Sequence, residues 1–291
     1  MEIPYEVSAR PDTGLYNAKI GIWLFLASEV MLFGGLFSGY VFLRIGAQPG
    51  YWPHGLLNVP VGMLNTLVLI ASSVTVVLAW ASLKMRQFTQ YKIYMAITIA
   101  CGLLFLIVKL TYEWPAKFHH FGVYIKKEAL AKYEPYLGNS YLLAKGLAQR
   151  VEITGDLENP EAYNDPAVKE YDIRMDAVNA EPANPESDRP TFWPRPLSEK
   201  VAKIDKADVD YASMFFPRHS AYFGAYFLIT GLHGLHVLGG LIVFTYFWLP
   251  VGADLYKRNP EHLANRIEVA GLFWHFVDLV WIFVFPLFYL L

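Results

Sequence analysis

The sequence is poor in cysteine and in charge. Cys101 is the only cysteine among 291 residues, and 17% of the residues are charged. A single cysteine excludes a disulfide within the chain and a metal site built on several cysteines. Soluble domains rarely combine so few charges with 55% hydrophobic and 16% aromatic residues, so the composition argues against a soluble globular protein.

The N-terminus also lacks the pattern of a signal peptide. Residues 1–12, MEIPYEVSARPD, are polar and acidic, whereas a signal peptide begins with basic residues and a short apolar segment. The apolar block that follows is too long for a signal peptide. We therefore expect it to remain in the mature protein as a membrane span.

Apolar residues are concentrated in five blocks, each long enough for the roughly 20 residues that a spanning helix needs. The blocks are Ile20–Leu43, Leu56–Leu83, Ile93–Tyr112, Ala221–Leu249 and Ile267–Leu291. A bilayer offers no water to backbone groups, so these blocks must be helices. The predicted fold is an all-α integral membrane protein, a bundle of five transmembrane helices with a long extramembrane insert between the third and fourth.

The chain thus has three predicted parts: residues 1–112 with helices 1–3, the insert at 113–216, and residues 217–291 with helices 4 and 5. The insert contains 13 Lys and Arg against 18 Asp and Glu, a net charge of −5, while the rest carries 11 against 8, a net charge of +3. Basic residues lie in the N-terminal tail and in the second-to-third and fourth-to-fifth links. The positive-inside rule then predicts a cytoplasmic N-terminus, with the C-terminus and the insert on the periplasmic side of a bacterial inner membrane.

Within the insert, residues 126–133 and 141–150 have the composition of short helices. The rest is rich in proline, which predicts an extended, mostly irregular flap after Gly155. His119 and His120 are adjacent and lack other ligands at suitable spacing, so we interpret them as surface residues and not as a metal site.

Acids and histidines interrupt the apolar blocks. Glu29 lies near the middle of the first block, where a carboxyl group is tolerated if it is neutral and hydrogen-bonded across helices, or if it exchanges protons or meets a lipid headgroup. In the last block, Glu268, His275 and Asp278 fall on one stripe, which must face protein.

The fourth block contains His233 and His236, one turn apart on a shared face. Haem or copper ligation is an alternative, but the spacing favours interhelical hydrogen bonds, with Glu268 and Asp278 as partners for imidazoles. Four glycines are predicted to allow close helix packing. They are Gly35, Gly39, Gly231 and Gly234.

Four segments together resemble the cytochrome c oxidase subunit III family of the haem–copper terminal oxidases, and they occur in the family order. They are SEVMLFGGLF (28–37), LNTLVLIASS (64–73), TGLHGLHV (230–237) and EVAGLFWHFVDLVW (268–281). The resemblance covers nearly all of the membrane-embedded chain. It implies that Glu29 is the buried glutamate of the family, and that the other acids and histidines named above form its polar network.

The resemblance implies a subunit with no catalytic residue, metal or cofactor of its own, since haem and copper belong to partner subunits. Such a subunit packs beside oxidase subunits I and II, holds phospholipids, and supports proton uptake and durability during O2 reduction coupled to proton pumping. Cytochrome c would be an indirect partner, and no nucleic acid is expected.

This chain departs from the family in two ways. It lacks the first two helices of the seven-span form, which close a lipid-holding cleft, so a small accessory subunit is a possible replacement for them. Its insert also stands where the family has a short link.

Three other functions remain open from the sequence. One is subunit III of a quinol oxidase, because nothing in the sequence identifies the electron donor. A small membrane transporter would have an inverted repeat and interrupted helices. A stand-alone b-type cytochrome would bind haem itself.

Overall fold

The computed structural model describes residues 17–47, 52, 57–133, 136, 151–176 and 197–290. Helices α1 to α3 are Asn17–Gly46, Val59–Lys84 and Phe88–Val108. The C-terminal helices α6, α7 and α8 are Ala221–Trp248, Pro250–Arg258 and Pro260–Phe285. The elements between them are α4 (Trp114–His119), β1 (His120–Ile125), β2 (Val151–Leu157), α5 (Glu161–Asn164), β3 (Glu170–Asp176), β4 (Leu197–Asp205) and β5 (Val209–Met214).

Five helical segments of the described chain are long and apolar enough to cross a membrane, which confirms the predicted five-span architecture. They are Asn17–Gly46, Val59–Lys84, Phe88–His119, Ala221–Trp248 and Pro260–Leu290. The last helix begins earlier than its apolar block because Pro260 fits the first turn, where a missing N–H is tolerated.

Two spans change from α-helical to π-helical geometry near one end. The third span continues from α3 through a π-helical turn at Lys109–Glu113 into α4, and α8 continues into a π-helical turn at Pro286–Leu290. Proline lacks an N–H and its ring collides with the carbonyl four residues earlier, so Pro286 cannot extend α8 as a regular α-helix.

The insert contains a five-stranded antiparallel sheet in the order β4-β3-β2-β1-β5. The prediction of a mostly irregular flap is therefore wrong for the described residues of the insert. Alternate residues of the strands, among them Phe121, Val123, Ile153 and Ile173, share one buried face and form its core. The sheet is stabilised by burial of the apolar side chains at every second strand position. The high overall proline content of the insert hides this alternation.

The predicted first helix of the insert is present as a 3₁₀ helix at Lys127–Tyr133. The second predicted helix, at 141–150, and the proline-rich residues 177–196 lie outside the described residues.

The described residues form two compact units. The first comprises the described parts of Met1–Phe37, Met63–Val108 and Ile229–Phe285, and the second those of Ser38–Gly62, Lys109–Leu228 and Pro286–Leu291. The second unit contains the sheet, and the contacts described below all lie within one unit.

Candidate functional site: polar pairs between the helices

Glu29 of α1 pairs with His236 of α6. The distance between Glu29 Oε2 and His236 Nε2 is 3.0 Å, and the two side chains are 13% and 15% exposed. His236 Nδ1 lies 2.8 Å from the carbonyl oxygen of Leu232, which can only accept, so Nδ1 carries a proton. The pair then either shares a proton as carboxyl and neutral imidazole or exists as carboxylate and imidazolium, and it is neutral overall in both forms. Phe33 and Phe273 pack against the imidazole.

Ser73 of α2 joins two of the polar residues of α8. Its Oγ lies 3.0 Å from His275 Nδ1 and donates a hydrogen bond to Asp278 Oδ2. Asp278 is buried, with 4% of its surface exposed. Next to this group, Trp274 Nε1 donates to Ser72 Oγ at 2.9 Å. Both serines lie in the segment 64–73 that resembles the family, but their role as hydrogen-bond partners was not predicted because serine is common in apolar helices.

Glu268 has a different partner from His275 and Asp278, the other two polar residues of its stripe. Its Oε1 lies 2.7 Å from Lys19 Nζ of α1, so the expectation that Glu268 pairs with an imidazole is wrong. The stripe on α8 therefore contacts two helices. Glu268 pairs with α1, and His275 and Asp278 contact α2.

His233 and His236 have different surroundings although they are three residues apart. His233 is fully buried, and its ring lies 5.5 Å from the ring of Phe105 and 5.1 Å from that of Trp281. A three-residue step rotates a side chain by about 300°, which leaves about 60° between the two histidines and directs them toward different helices. They do not form one two-histidine site.

Three of the predicted packing glycines, Gly35, Gly39 and Gly234, are not tightly packed. A Cβ built on Gly35 or Gly39 meets no described atom within 4 Å, and one on Gly234 makes only an ordinary contact of 3.8 Å. Gly231 is half-buried. The close contacts occur elsewhere: a Cβ on Gly102 or on Gly240 would lie 2.8 or 2.7 Å from the indole of Trp274. Glycine at these two positions lets α3 and α6 approach the indole of Trp274 in α8.

A buried ion pair lies in the second unit. Lys109 and Glu113, both about 95% buried, form a salt bridge across the π-helical turn, and Tyr289 bridges them through hydrogen bonds to both. Lys109 Nζ also lies 5.5 Å from the ring centre of Tyr226. Lys109 is therefore neutralised inside the protein by an acid four residues further along the chain.

Two histidines of the sheet region pair with carboxylates. His120 lies 2.8 Å from Asp156 and 3.1 Å from Asp176, so its interpretation as a surface residue is wrong. Burial lowers the pKa of His120, but the hydrogen bonds to the two carboxylates outweigh burial and raise that pKa to about 9. His219 lies 2.6 Å from Glu152.

Among the residues that the structure describes, no three His, Cys, Asp or Glu side chains are arranged to hold a metal ion. Several titratable groups of the helices instead form the polar pairs described above, for example Glu29 with His236 and Lys19 with Glu268.

A sequence model of the cytochrome c oxidase subunit III family matches residues 12–124 and 202–291. The chain belongs to this family. It is therefore a subunit III of a haem–copper oxidase, a multi-pass protein of the bacterial membrane. Such a subunit associates with the other subunits of its oxidase.

Several curated relatives support the assignment. Cytochrome c oxidase subunit 3 of Alkalihalophilus pseudofirmus is 26% identical over 277 residues, which are 94% of this chain and 87% of the relative. Cytochrome bo(3) ubiquinol oxidase subunit 3 of Pseudomonas aeruginosa is 40% identical over 81 residues, 28% of this chain and 37% of the relative. Haem–copper oxidase subunit I+III of Aeropyrum pernix is 24% identical over 280 residues, 94% of this chain and 22% of that protein. The family match stops at Tyr124 in β1 and resumes at Ala202 in β4, so the subunit III assignment rests on the helices and not on most of the insert.

Proposed function

We propose that this chain is the non-catalytic third subunit of a cytochrome c oxidase. In this proposal it packs beside the haem-bearing subunit, holds phospholipids, and supports proton uptake while the partner subunits reduce O2. Haem and copper belong to those partners.

The Glu29–His236 pair is the observation that carries the proton-handling part of this proposal. Its two groups exchange one proton across a 3.0 Å contact without a change in net charge, which keeps the electrostatic cost of moving the proton inside the membrane low. The pair is about 85% buried on both sides, so bulk water does not compete strongly for the proton.

The acidic insert supports cytochrome c as the donor. The described residues between 120 and 219 contain 9 Lys and Arg and 13 Asp and Glu. An acidic surface on the periplasmic side raises the local concentration of a basic donor protein and accelerates its association. The second candidate is oxidation of a membrane quinol, and the similarity to a ubiquinol oxidase subunit 3 gives it some support.

The basic links support an orientation with the N-terminus in the cytoplasm. With the N-terminus in the cytoplasm, the salt bridges Lys19–Glu268 and Lys84–Glu261 lie at the cytoplasmic end of the spans. The sheet then lies in the periplasm, where a soluble donor arrives.

Purification of the complex through a tag on this chain tests the proposal. Haem-bearing subunits should copurify, and the complex should oxidise reduced cytochrome c faster than a quinol. A preparation that oxidises quinol but not cytochrome c would contradict the choice of donor, and a chain that purifies without any haem-bearing subunit would contradict the whole proposal.

The electrostatic part has a sharper test. Glu161, Glu170 and Glu199 are exposed acids of the insert. Replacing all three with Gln should raise KM for cytochrome c several-fold at low salt and flatten its salt dependence, with kcat nearly unchanged. The matched control is Lys127→Gln, also at an exposed position, which should not raise KM. An unchanged KM in the triple variant would argue against docking on this surface.

A further inference from the structure

One row of side chains on α8 reaches the surface of the first unit between α1 and α2. Phe273 and Phe283 of α8 pack against α1, and Ser73 of α2 contacts α8 on the other side. Residues three or four apart share one face of a helix, and the face between these two contacts is the outer row. The outer row consists of Leu272, His275, Leu279 and Ile282.

His275 is the polar member of the outer row, and it is only partly buried. Its Nδ1 lies 3.0 Å from Ser73 Oγ, whereas its Nε2 has no hydrogen-bond partner among the described residues. The fully buried nitrogen and oxygen atoms without a partner do not include Nε2, so this edge of the ring opens onto the surface of the chain.

His275 also lies near the middle of the membrane. It is fifteen residues from each end of the span Pro260–Leu290, which is about 22 Å at 1.5 Å per residue. The hydrocarbon core of a bilayer is about 30 Å thick, so the lipid ester and headgroup oxygens are about 15 Å from its midplane. Lipid tails have no hydrogen-bonding atom, and an unpaired N–H in hydrocarbon is costly. Lipid therefore cannot pair with Nε2 at this depth.

Charge neutrality determines which hydrogen bond Nε2 makes. His275, Ser73 and Asp278 form one hydrogen-bonded chain, and a net charge on it inside the membrane would be costly. A neutral chain has two forms. Either Asp278 is a carboxylate and His275 an imidazolium, or Asp278 holds the proton, Ser73 donates to Nδ1, and the neutral imidazole carries its hydrogen on Nε2. Nε2 is a donor in both forms, so its partner must be an acceptor.

We propose that the outer row docks against a transmembrane helix of the haem-bearing subunit, and that an oxygen atom of that helix accepts a hydrogen bond from His275 Nε2. A hydroxyl or amide side chain, or a backbone carbonyl at a kink, supplies such an oxygen in a membrane helix. This inference rests on the proposed function and adds the face through which the chain meets its partner.

The apolar neighbours of His275 complete this face. Leu279 and Ile282 lie on the same row of α8, and Ile70 and Val77 of α2 lie one turn on either side of Ser73. These four side chains are between 43% and 49% exposed. They provide an apolar surface on which a second helix packs around the imidazole.

Photo-crosslinking of the intact complex tests the docking face. Leu279 is replaced by the photoreactive residue p-benzoylphenylalanine, and the matched control carries the same replacement at Leu235, an exposed leucine of α6 outside this face. After illumination, position 279 should form a covalent product with the haem-bearing subunit, identified by mass spectrometry of its peptides. Position 235 should not form that product.

Variants of His275 test the hydrogen bond. His275→Leu removes the N–H, and His275→Gln keeps a donor. We expect His275→Leu to dissociate from the haem-bearing subunit in mild detergent about 3- to 10-fold faster than wild type, which is the range for hydrogen bonds between membrane helices, and His275→Gln to stay near the wild-type rate. Ser73→Ala is the structural control, because it breaks the internal chain and leaves Nε2 in place. It should dissociate at nearly the wild-type rate.

The proposal is overturned if position 279 cross-links only to lipid or to a subunit without haem, or if positions 279 and 235 cross-link equally. It is also overturned if His275→Leu dissociates at the wild-type rate. The same holds if Ser73→Ala accelerates dissociation as much as His275→Leu, because the effect would then arise inside this chain. Failure of the proposed function looks different, because no haem-bearing subunit would then copurify with the wild type or with any variant.

Discussion

Replacement of Glu29 by Gln or by Ala separates two roles of this buried acid. His236 Nδ1 donates to a carbonyl, so His236 Nε2 needs a donor at Glu29 whenever the imidazole is neutral. A Gln side chain supplies that donor from its amide, and Ala supplies nothing. We therefore expect Glu29→Gln to preserve the assembly of the complex and Glu29→Ala to weaken it.

The size of the effect follows from the burial of the pair. His236 is 15% exposed, and a buried acceptor without a partner costs about 1–3 kcal/mol. At 1.4 kcal/mol per factor of ten, this is about a 5- to 150-fold change in the equilibrium between native and dissociated or unfolded subunit. For Gln we expect a change near zero.

Thermal denaturation of the purified complex, with the retention of this subunit followed on native gels, measures the difference. Proton uptake by the Gln variant is the second measurement: its amide holds no titratable proton, so uptake should slow although the complex is intact. Equal destabilisation by Gln and Ala would refute the hydrogen-bond reasoning. Unchanged proton uptake in the Gln variant would refute the proton-handling role.

Three further predictions concern the other polar groups. Lys109→Met should destabilise the subunit by about 3–5 kcal/mol because it leaves Glu113 charged and buried. Adding Glu113→Gln to this variant should recover most of the lost stability. Thermal unfolding measures both effects, and a double variant as unstable as the single one would contradict the prediction. Ser73→Ala and Asp278→Asn should be non-additive by about 0.5–3 kcal/mol in a double-mutant cycle, whereas strict additivity would mean that the two side chains share no hydrogen bond. Folding raises the pKa of His120 from 6.5 to about 9, so protonated His120 stabilises the folded insert by about 3 kcal/mol. This contribution is fully present below pH 6.5 and is lost as the pH rises through 9. Urea unfolding at a series of pH values should show the loss, and His120→Gln should abolish the pH dependence.

The five spans were predictable because hydrophobic length is a property of the sequence itself. A segment of roughly 20 apolar residues is stable in a bilayer as a helix that crosses it, and this structure does not depend on neighbouring segments. The order of the family segments likewise follows from the chain alone.

The partners of the polar residues were less predictable. Periodicity put Glu268, His275 and Asp278 on one stripe, yet Glu268 meets Lys19 while the other two meet Ser73. The helical repeat determines only which side of its own helix a polar side chain lies on. Which helix stands in that direction depends on the packing of large side chains, such as Trp274 between Gly102 and Gly240.

The insert shows the same division. Its apolar residues alternate over segments of only six to nine residues, and those segments form a sheet only because residues far apart in sequence pair with one another, as β1 does with β5. Local proline content suggested irregular structure and could not reveal these pairings.

The sequence by itself determined that the chain crosses a membrane five times, because burial of apolar residues in lipid is additive along the chain. Only the tertiary structure decided which charge neutralises which, since electrostatic and hydrogen-bond energies depend on distances of a few ångströms between residues from different helices.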